Sequence, residues 1–136
     1  FGKAFLMIPP TKYAHILADK IQAHQASAYL VNTGWVAGPY GEGYRIPLKE
    51  NRLCIDAILD GSLDHGEFEN LPIFNLQIPK FVKGMDPQHL NPRQIWKDSA
   101  KYDLTAKKLA SMFIDNFKVF GNTTDGQELV KAGPVI

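Results

Sequence analysis

An internal disulfide is closed to this chain, which has 136 residues and a single cysteine, Cys54. A reducing compartment, the cytoplasm, is therefore the default expectation. Long apolar runs are also missing, and none approaches the ~20 residues needed to span a bilayer. The opening FGKAFLMIPP has neither the basic start nor the small-residue cleavage site of a signal peptide. An excess of one charge is absent: the net charge is +1, with basic residues scattered. Nucleic acid and membrane surfaces are therefore not expected partners. His15, His24, His65 and His89 show no metal-binding spacing such as HExxH or His-x-His. No Ser/His/Asp or Cys/His arrangement can be assigned from spacing, so no catalytic residue and no metal ligand is named.

What remains is the composition of an ordinary globular protein, 45% hydrophobic and 21% charged. The length is one domain's worth at most. No repeat, low-complexity tract or clear linker divides it, so residues 1–136 are expected to be one domain or sub-domain. Phe1 is not a methionine and FGKAFLMI reads as the middle of a chain, so a fragment of a longer protein is expected.

The pattern predicts a mixed α/β (α+β) fold. Residues 4–8 are a short apolar run ended by Pro9-Pro10, a strand signal. Thr11 is placed to cap a helix running to about His24, with an apolar stripe of Tyr13, Ala14, Leu17, Ala18 and Ile21. Residues 28–32, AYLVN, have strand composition and lead into a loop over 33–44. A helix follows from about Lys49 to Leu59, with Leu53, Cys54, Ala57 and Ile58 on one face and Gly61 past its end. Residues 61–97 read as irregular except Phe74–Ile78, an alternating segment stopped by Pro79. The strongest signal is a helix over Lys97–Phe120. Its stripe of Tyr102, Ala106, Leu109, Phe113, Phe117 and Phe120 is expected to be core. A last short helix is predicted over Asp125–Ala132.

Strand, glycine loop, helix is an order that holds phosphates and nucleotides in many proteins. Here Gly34, Gly38, Gly41 and Gly43 supply the loop, but no GxGxxG and no GK[ST] completes it. On these residues both a ligand loop and a simple turn are open. Arg45 leaves the loop before Ile46-Pro47, and its planar guanidinium can stack on a base or pair with phosphate; an exposed strand-end arginine is the blander alternative. Asn51 can bond a base edge or act as a local cap. Arg52 is read as a surface or ion-pair residue, Cys54 as an inert core thiol, and the acidic Asp64, Glu67 and Glu69 as a solvated loop rather than a carboxylate pair.

At this loop the chain becomes recognisable. YLVNTGW, then GxxGxG, Arg45-Ile46, Arg52 and Ile55–Leu59 followed by Gly61 and Leu63 resemble the carboxy-terminal part of the ATP-dependent phosphoenolpyruvate carboxykinases. So do FGKAF at the start, Pro10–Ala14, the prolines and apolar residues of 71–79, Leu90–Arg93 with Trp96, the 108–117 segment and Ala132-Gly133-Pro134. The likeness covers essentially the whole chain in order. It implies the carboxy-terminal part of that family's mononucleotide-binding domain. It also implies the parent reaction, oxaloacetate plus ATP giving phosphoenolpyruvate, ADP and carbon dioxide, the carboxy-lyase step of gluconeogenesis. It implies Mg2+ and Mn2+ in the parent enzyme, with the phosphate loop and metal ligands outside this chain.

The family's Arg-Ile nucleotide contact falls on Arg45 and Ile46. A second contact, usually Thr before Arg, falls on Asn51. Tyr44 stands where many members have Lys. The implied partners are the remainder of the parent polypeptide, ATP and oxaloacetate. The fragment alone is expected to be inactive and, with apolar surface uncovered, to self-associate. The alternative is a non-catalytic α/β module that binds a partner or packs.

Overall fold

A computed structural model describes residues 5–136. The chain falls into two compact units, one of residues 5–29 with Phe117–Ala132, the other of Leu30–Asn116 with Gly133–Ile136. The elements are mixed helix and strand, as the composition predicts.

In the first unit, α1 spans Pro10–His24. Proline at its first position suits a helix start, since the missing N–H has no intrahelical partner there. Pro9, not Thr11, occupies the cap, and no side chain caps it. Thr11 lies inside the first turn, buried. No strand precedes α1: residues 5–8 are irregular, and residue 4 of the expected strand lies outside the described residues. The expected stripe of α1 is largely open, with Leu17 61% exposed. α5, Thr124–Val130, is two residues shorter than predicted at its end, and Thr123 caps it by accepting from Gly126 N at 3.0 Å. A Cβ on Gly126 would lie 1.9 Å from Phe120 O, so only glycine fits this tight entry. His15 of α1 lies 3.3 Å from Asp125 of α5, both partly exposed.

The second unit carries two antiparallel hairpins and three helices. β1, Trp35–Val36, pairs with β2, Tyr44–Arg45, in the register Trp35 to Arg45 and Val36 to Tyr44. β3, Phe68–Leu71, pairs with β4, Leu76–Pro79. Pro79 ends the ladder opposite Phe68, a place where a missing N–H is tolerated. β3 was not foreseen: four residues with Glu and Asn carry little strand signal, and pairing with β4 supplies the missing stability. Between the strands, Ile73 and Asn75 adopt positive φ, and Ile73 O accepts from Val135 N at 2.7 Å.

The strand expected at 28–32 does not form. Its branched and aromatic residues suit a sheet, but no described strand pairs with it, and Leu30 is 88% exposed.

α2, Leu48–Leu59, lies within one residue of its predicted limits, and α4, Ser99–Phe117, starts two residues later and ends three residues earlier than predicted. Asp98 accepts from Ala100 N and Lys101 N at 2.9 and 3.0 Å, starting α4. After Phe117 the helix tightens into a 3-10 turn over Lys118–Phe120. The buried face of α4 is Ala106 and Ala110. Phe113, expected in the core, is half-exposed, and so is Leu109. The small alanines face inward, Tyr102, Phe117 and Phe120 are half-buried, and Leu109 and Phe113 remain largely uncovered. α3, Pro92–Ile95, is a single short turn capped by Asn91, whose side chain accepts from Arg93 N at 3.0 Å.

The core of this unit is small: Ala57, Leu63, Leu71, Val82, Met85, Ala106 and Ala110. Among the described residues, no large side chain is fully enclosed. Among the described residues, no helix is long and apolar enough to cross a membrane.

Candidate functional site at the glycine hairpin and the start of the second helix

The glycine loop is the turn of the β1–β2 hairpin rather than a link from a strand at 28–32 to a helix. It closes on itself. Pro39 O accepts from Glu42 N and Gly43 N at 3.0 and 2.9 Å. A Cβ on Gly43 would lie 2.3 Å from Val36 O and 2.6 Å from Gly38 O, so the backbone leaves no room there for a side chain. The close approach that glycine permits is thus used within the loop. Trp35 and Tyr40 meet edge to face at 5.0 Å, and Lys101 of α4 bonds Glu42 at 2.5 Å.

The hairpin presents Arg45 at its outgoing end. Arg45 is exposed, and its Nε donates to Thr33 O at 3.3 Å. Among the described residues it forms no ion pair, so its terminal nitrogens remain available as donors. Ile46 N donates to Gly34 O at 2.9 Å, extending the pairing by one bond, and its side chain is half-buried. Pro47 then turns the chain into α2 and its carbonyl accepts from Glu50 N and Asn51 N at 3.0 and 3.2 Å. Asn51 therefore sits in the first turn and does not cap the helix. Its Oδ1 is buried with no hydrogen-bond partner. An unmet buried acceptor costs about 1–3 kcal/mol, which marks this side chain as unusual. Arg45, Ile46 and Asn51 thus lie on one short strand–turn–helix segment.

Three side chains that sequence reasoning did not combine stand beside this segment. The Tyr44 hydroxyl lies 3.2 Å from His89 Nε2. His89 Nδ1 bonds Glu50 Oε2. The His89 and Glu50 side chains are only 18% and 15% exposed. The contacts join positions 45 and 39 residues apart, so no sequence spacing signals them.

The remaining candidates are structural. Cys54 is half-buried, with Sγ 3.2 Å from Met85 Sδ. Burial, and then the charge of Glu50, pushes its thiol pKa up, which disfavours the reactive thiolate. Glu67 pairs with Lys80 at 3.3 Å, and Glu69 accepts from Asn91 Nδ2 at 2.7 Å, so these two carboxylates serve separate contacts. His24 and His65 are exposed. Arg52 is exposed and forms no ion pair among the described residues. No three His, Cys, Asp or Glu side chains come together as a metal-ligand set among the described residues.

The family model for phosphoenolpyruvate carboxykinase matches residues 1–88 of this chain. The chain belongs to the phosphoenolpyruvate carboxykinase family. It is 48% identical over all 136 residues to the phosphoenolpyruvate carboxykinase (ATP) of Campylobacter lari, covering 26% of that protein. The enzymes of the same name from Campylobacter jejuni serotype O:23/36 and Sulfurimonas denitrificans are 48% and 46% identical over the same length, again with 26% covered. The chain thus spans about a quarter of the curated carboxykinases it matches. The family match includes the glycine hairpin, Arg45, Ile46 and Asn51.

Proposed function

We propose that this chain is the carboxy-terminal segment of an ATP-dependent phosphoenolpyruvate carboxykinase, and that Arg45, Ile46 and Asn51 form one wall of its ATP site. The 48% identity over the full chain to a carboxykinase (ATP) carries this reading. The chemistry of the segment supports it: an exposed guanidinium with free donors and an amide with an unmet acceptor lie at the two ends of one short turn. A guanidinium can stack on a base or pair with phosphate, and Ile46 offers an apolar edge to a base.

In the parent reaction, the carbon–carbon bond to the leaving carboxylate of oxaloacetate breaks, releasing carbon dioxide. Its electron pair remains as an enolate. The enolate oxygen takes the γ-phosphoryl group of ATP, and ADP leaves. This segment's share is to hold the nucleotide. The residues described here do not fit a divalent cation, because no ligand set is assembled among them. The Mg2+ and Mn2+ of the parent enzyme are accordingly assigned to the remainder of the polypeptide, as are the oxaloacetate contacts and the groups that hold the reacting phosphates. On this reading the parent works in the cytoplasm, and residues 1–136 are one sub-domain of it. Its uncovered apolar side chains, such as Met7 at 92% and Phe81 at 66% exposure, make the isolated chain prone to self-association.

The test is steady-state kinetics of the full-length enzyme. Arg45→Ala is expected to raise KM for ATP and leave KM for oxaloacetate unchanged. An equal rise in both would assign Arg45 a purely structural part. The isolated chain is expected to show no turnover, and activity in a pure preparation would overturn the segment reading.

A further inference from the structure

His89 ends a 3-10 turn, Pro87–His89, that is itself pinned. Asp86 accepts from Gln88 N at 2.9 Å through its side chain and from His89 N at 3.0 Å through its carbonyl. From this fixed point the imidazole reaches two residues of the nucleotide-contact segment. Nε2 meets the Tyr44 hydroxyl and Nδ1 meets the Glu50 carboxylate. Tyr44 immediately precedes Arg45, and Glu50 immediately precedes Asn51. One side chain therefore holds the residue before each polar member of the wall, across the turn at Ile46-Pro47.

We propose that His89 is a positioning residue for nucleotide binding. It clamps Tyr44 to Glu50 and so sets the distance and angle between the Arg45 strand end and the first turn of α2. The inference rests on the proposal that Arg45 and Asn51 contact ATP.

The hydrogen-bond logic is consistent at both ends of the ring. An ionised Glu50 accepts from Nδ1–H, which leaves the Nε2 lone pair to accept from the Tyr44 hydroxyl. If the ring gains a second proton, Nε2–H donates to the phenol oxygen and Nδ1–H still donates to Glu50. The clamp holds in either state, so it acts as a fixed brace. Low exposure at His89 and Glu50 keeps water from replacing the bond between them. Three residues outside the proposed wall thereby remove freedom from two within it, and pre-organisation of that kind raises affinity without adding a contact.

The test uses the full-length enzyme with Arg45→Ala, His89→Ala, His89→Asn, Tyr44→Phe and the double variant Arg45→Ala/His89→Ala. Losing one such brace is expected to raise KM for ATP about fivefold in His89→Ala, with kcat and KM for oxaloacetate within about twofold of the parent. His89→Asn places an amide donor near the Nδ1 position and is expected to recover part of the loss. The double variant is expected to be little worse than Arg45→Ala alone, because His89 acts chiefly by aiming that side chain.

Should His89→Ala fail to fold, Tyr44→Phe carries the same prediction with a smaller rise. If Arg45→Ala raises KM for ATP while His89→Ala and Tyr44→Phe leave it unchanged, the brace is refuted and the ATP wall stands. Fully additive effects, or kcat and both KM values shifting together, likewise refute it. No effect of Arg45→Ala overturns the wall and the brace with it.

Discussion

Two arginines of the second unit are both exposed and do different work. Arg93, in the first turn of α3, aims its guanidinium at Asp103 of α4, with Nε and Nη2 donating at 2.8 and 3.0 Å. This is a fork-to-carboxylate pair that spends the planar donors on the protein itself. Trp96 and Tyr102 meet edge to face at 5.6 Å across the same pair of helices. Arg45, at the end of β2, has a single bond to a backbone oxygen and no carboxylate. One region is stitched shut and the other is left with donors facing solvent. The difference separates an arginine committed to packing from one proposed to bind, and residue type alone does not reveal it.

The hairpin that presents Arg45 is the most sensitive part of this contrast. Gly43→Ala forces a Cβ against two backbone oxygens, where no side chain can yield. A loss of about 3 kcal/mol is expected, read as a lower denaturation midpoint, together with weaker ATP binding. A stable Gly43→Ala protein would show that the hairpin does not set the position of Arg45. Next comes Arg45→Ala itself, expected to raise KM for ATP about tenfold in the full-length enzyme while leaving the melting temperature within a degree or so. Arg93→Ala should do the reverse: a small fall in melting temperature with KM for ATP unchanged. If both arginine variants moved the same quantity, the two regions would not differ in kind.

The smallest effect expected is on pH dependence. The hydrogen bond from Arg93, before any other cause, holds the Asp103 carboxyl below the ordinary carboxylate range. A folded pKa depressed in this way contributes stability that is present above the unfolded value and lost as pH falls through the folded one. Asp103→Asn should therefore flatten the acid limb of the stability curve below about pH 4 and leave its shape near pH 7 unchanged. An acid limb identical in the two proteins would mean the pair adds nothing in solution, as many exposed pairs do.

The helices were the most legible part of the fold. Their signals are local, an apolar residue every three or four positions with a stop such as Gly61 or Gly121, and α2 and α4 formed within three residues of expectation. Even there, the inward face was only partly right. Periodicity named Ala106 together with Leu109 and Phe113; Ala106 packs, alongside the unnamed Ala110, while Leu109 and Phe113 stay half-exposed. An apolar stripe says which side can be buried, and the neighbouring element determines which part of it is.

Strands were less legible because a strand exists only with its partner. The favourable composition at 28–32 stayed unpaired, and the weak segment Phe68–Leu71 became a strand by pairing with β4. Of the candidate site, Arg45, Ile46 and Asn51 could be named from the chain. Tyr44, His89 and Glu50 could not, since their contacts cross about forty residues.

By itself, then, the sequence determined the longer helices, the glycine-rich loop, the family and the residues proposed to meet ATP. Each of these rests on neighbours within a few positions or on resemblance along the chain. Tertiary structure decided that the glycine loop closes a hairpin, that Arg93 is committed to Asp103 and Arg45 to no carboxylate, and that His89 braces Tyr44 against Glu50. These are contacts between distant positions, and their geometry is set only when the elements pack.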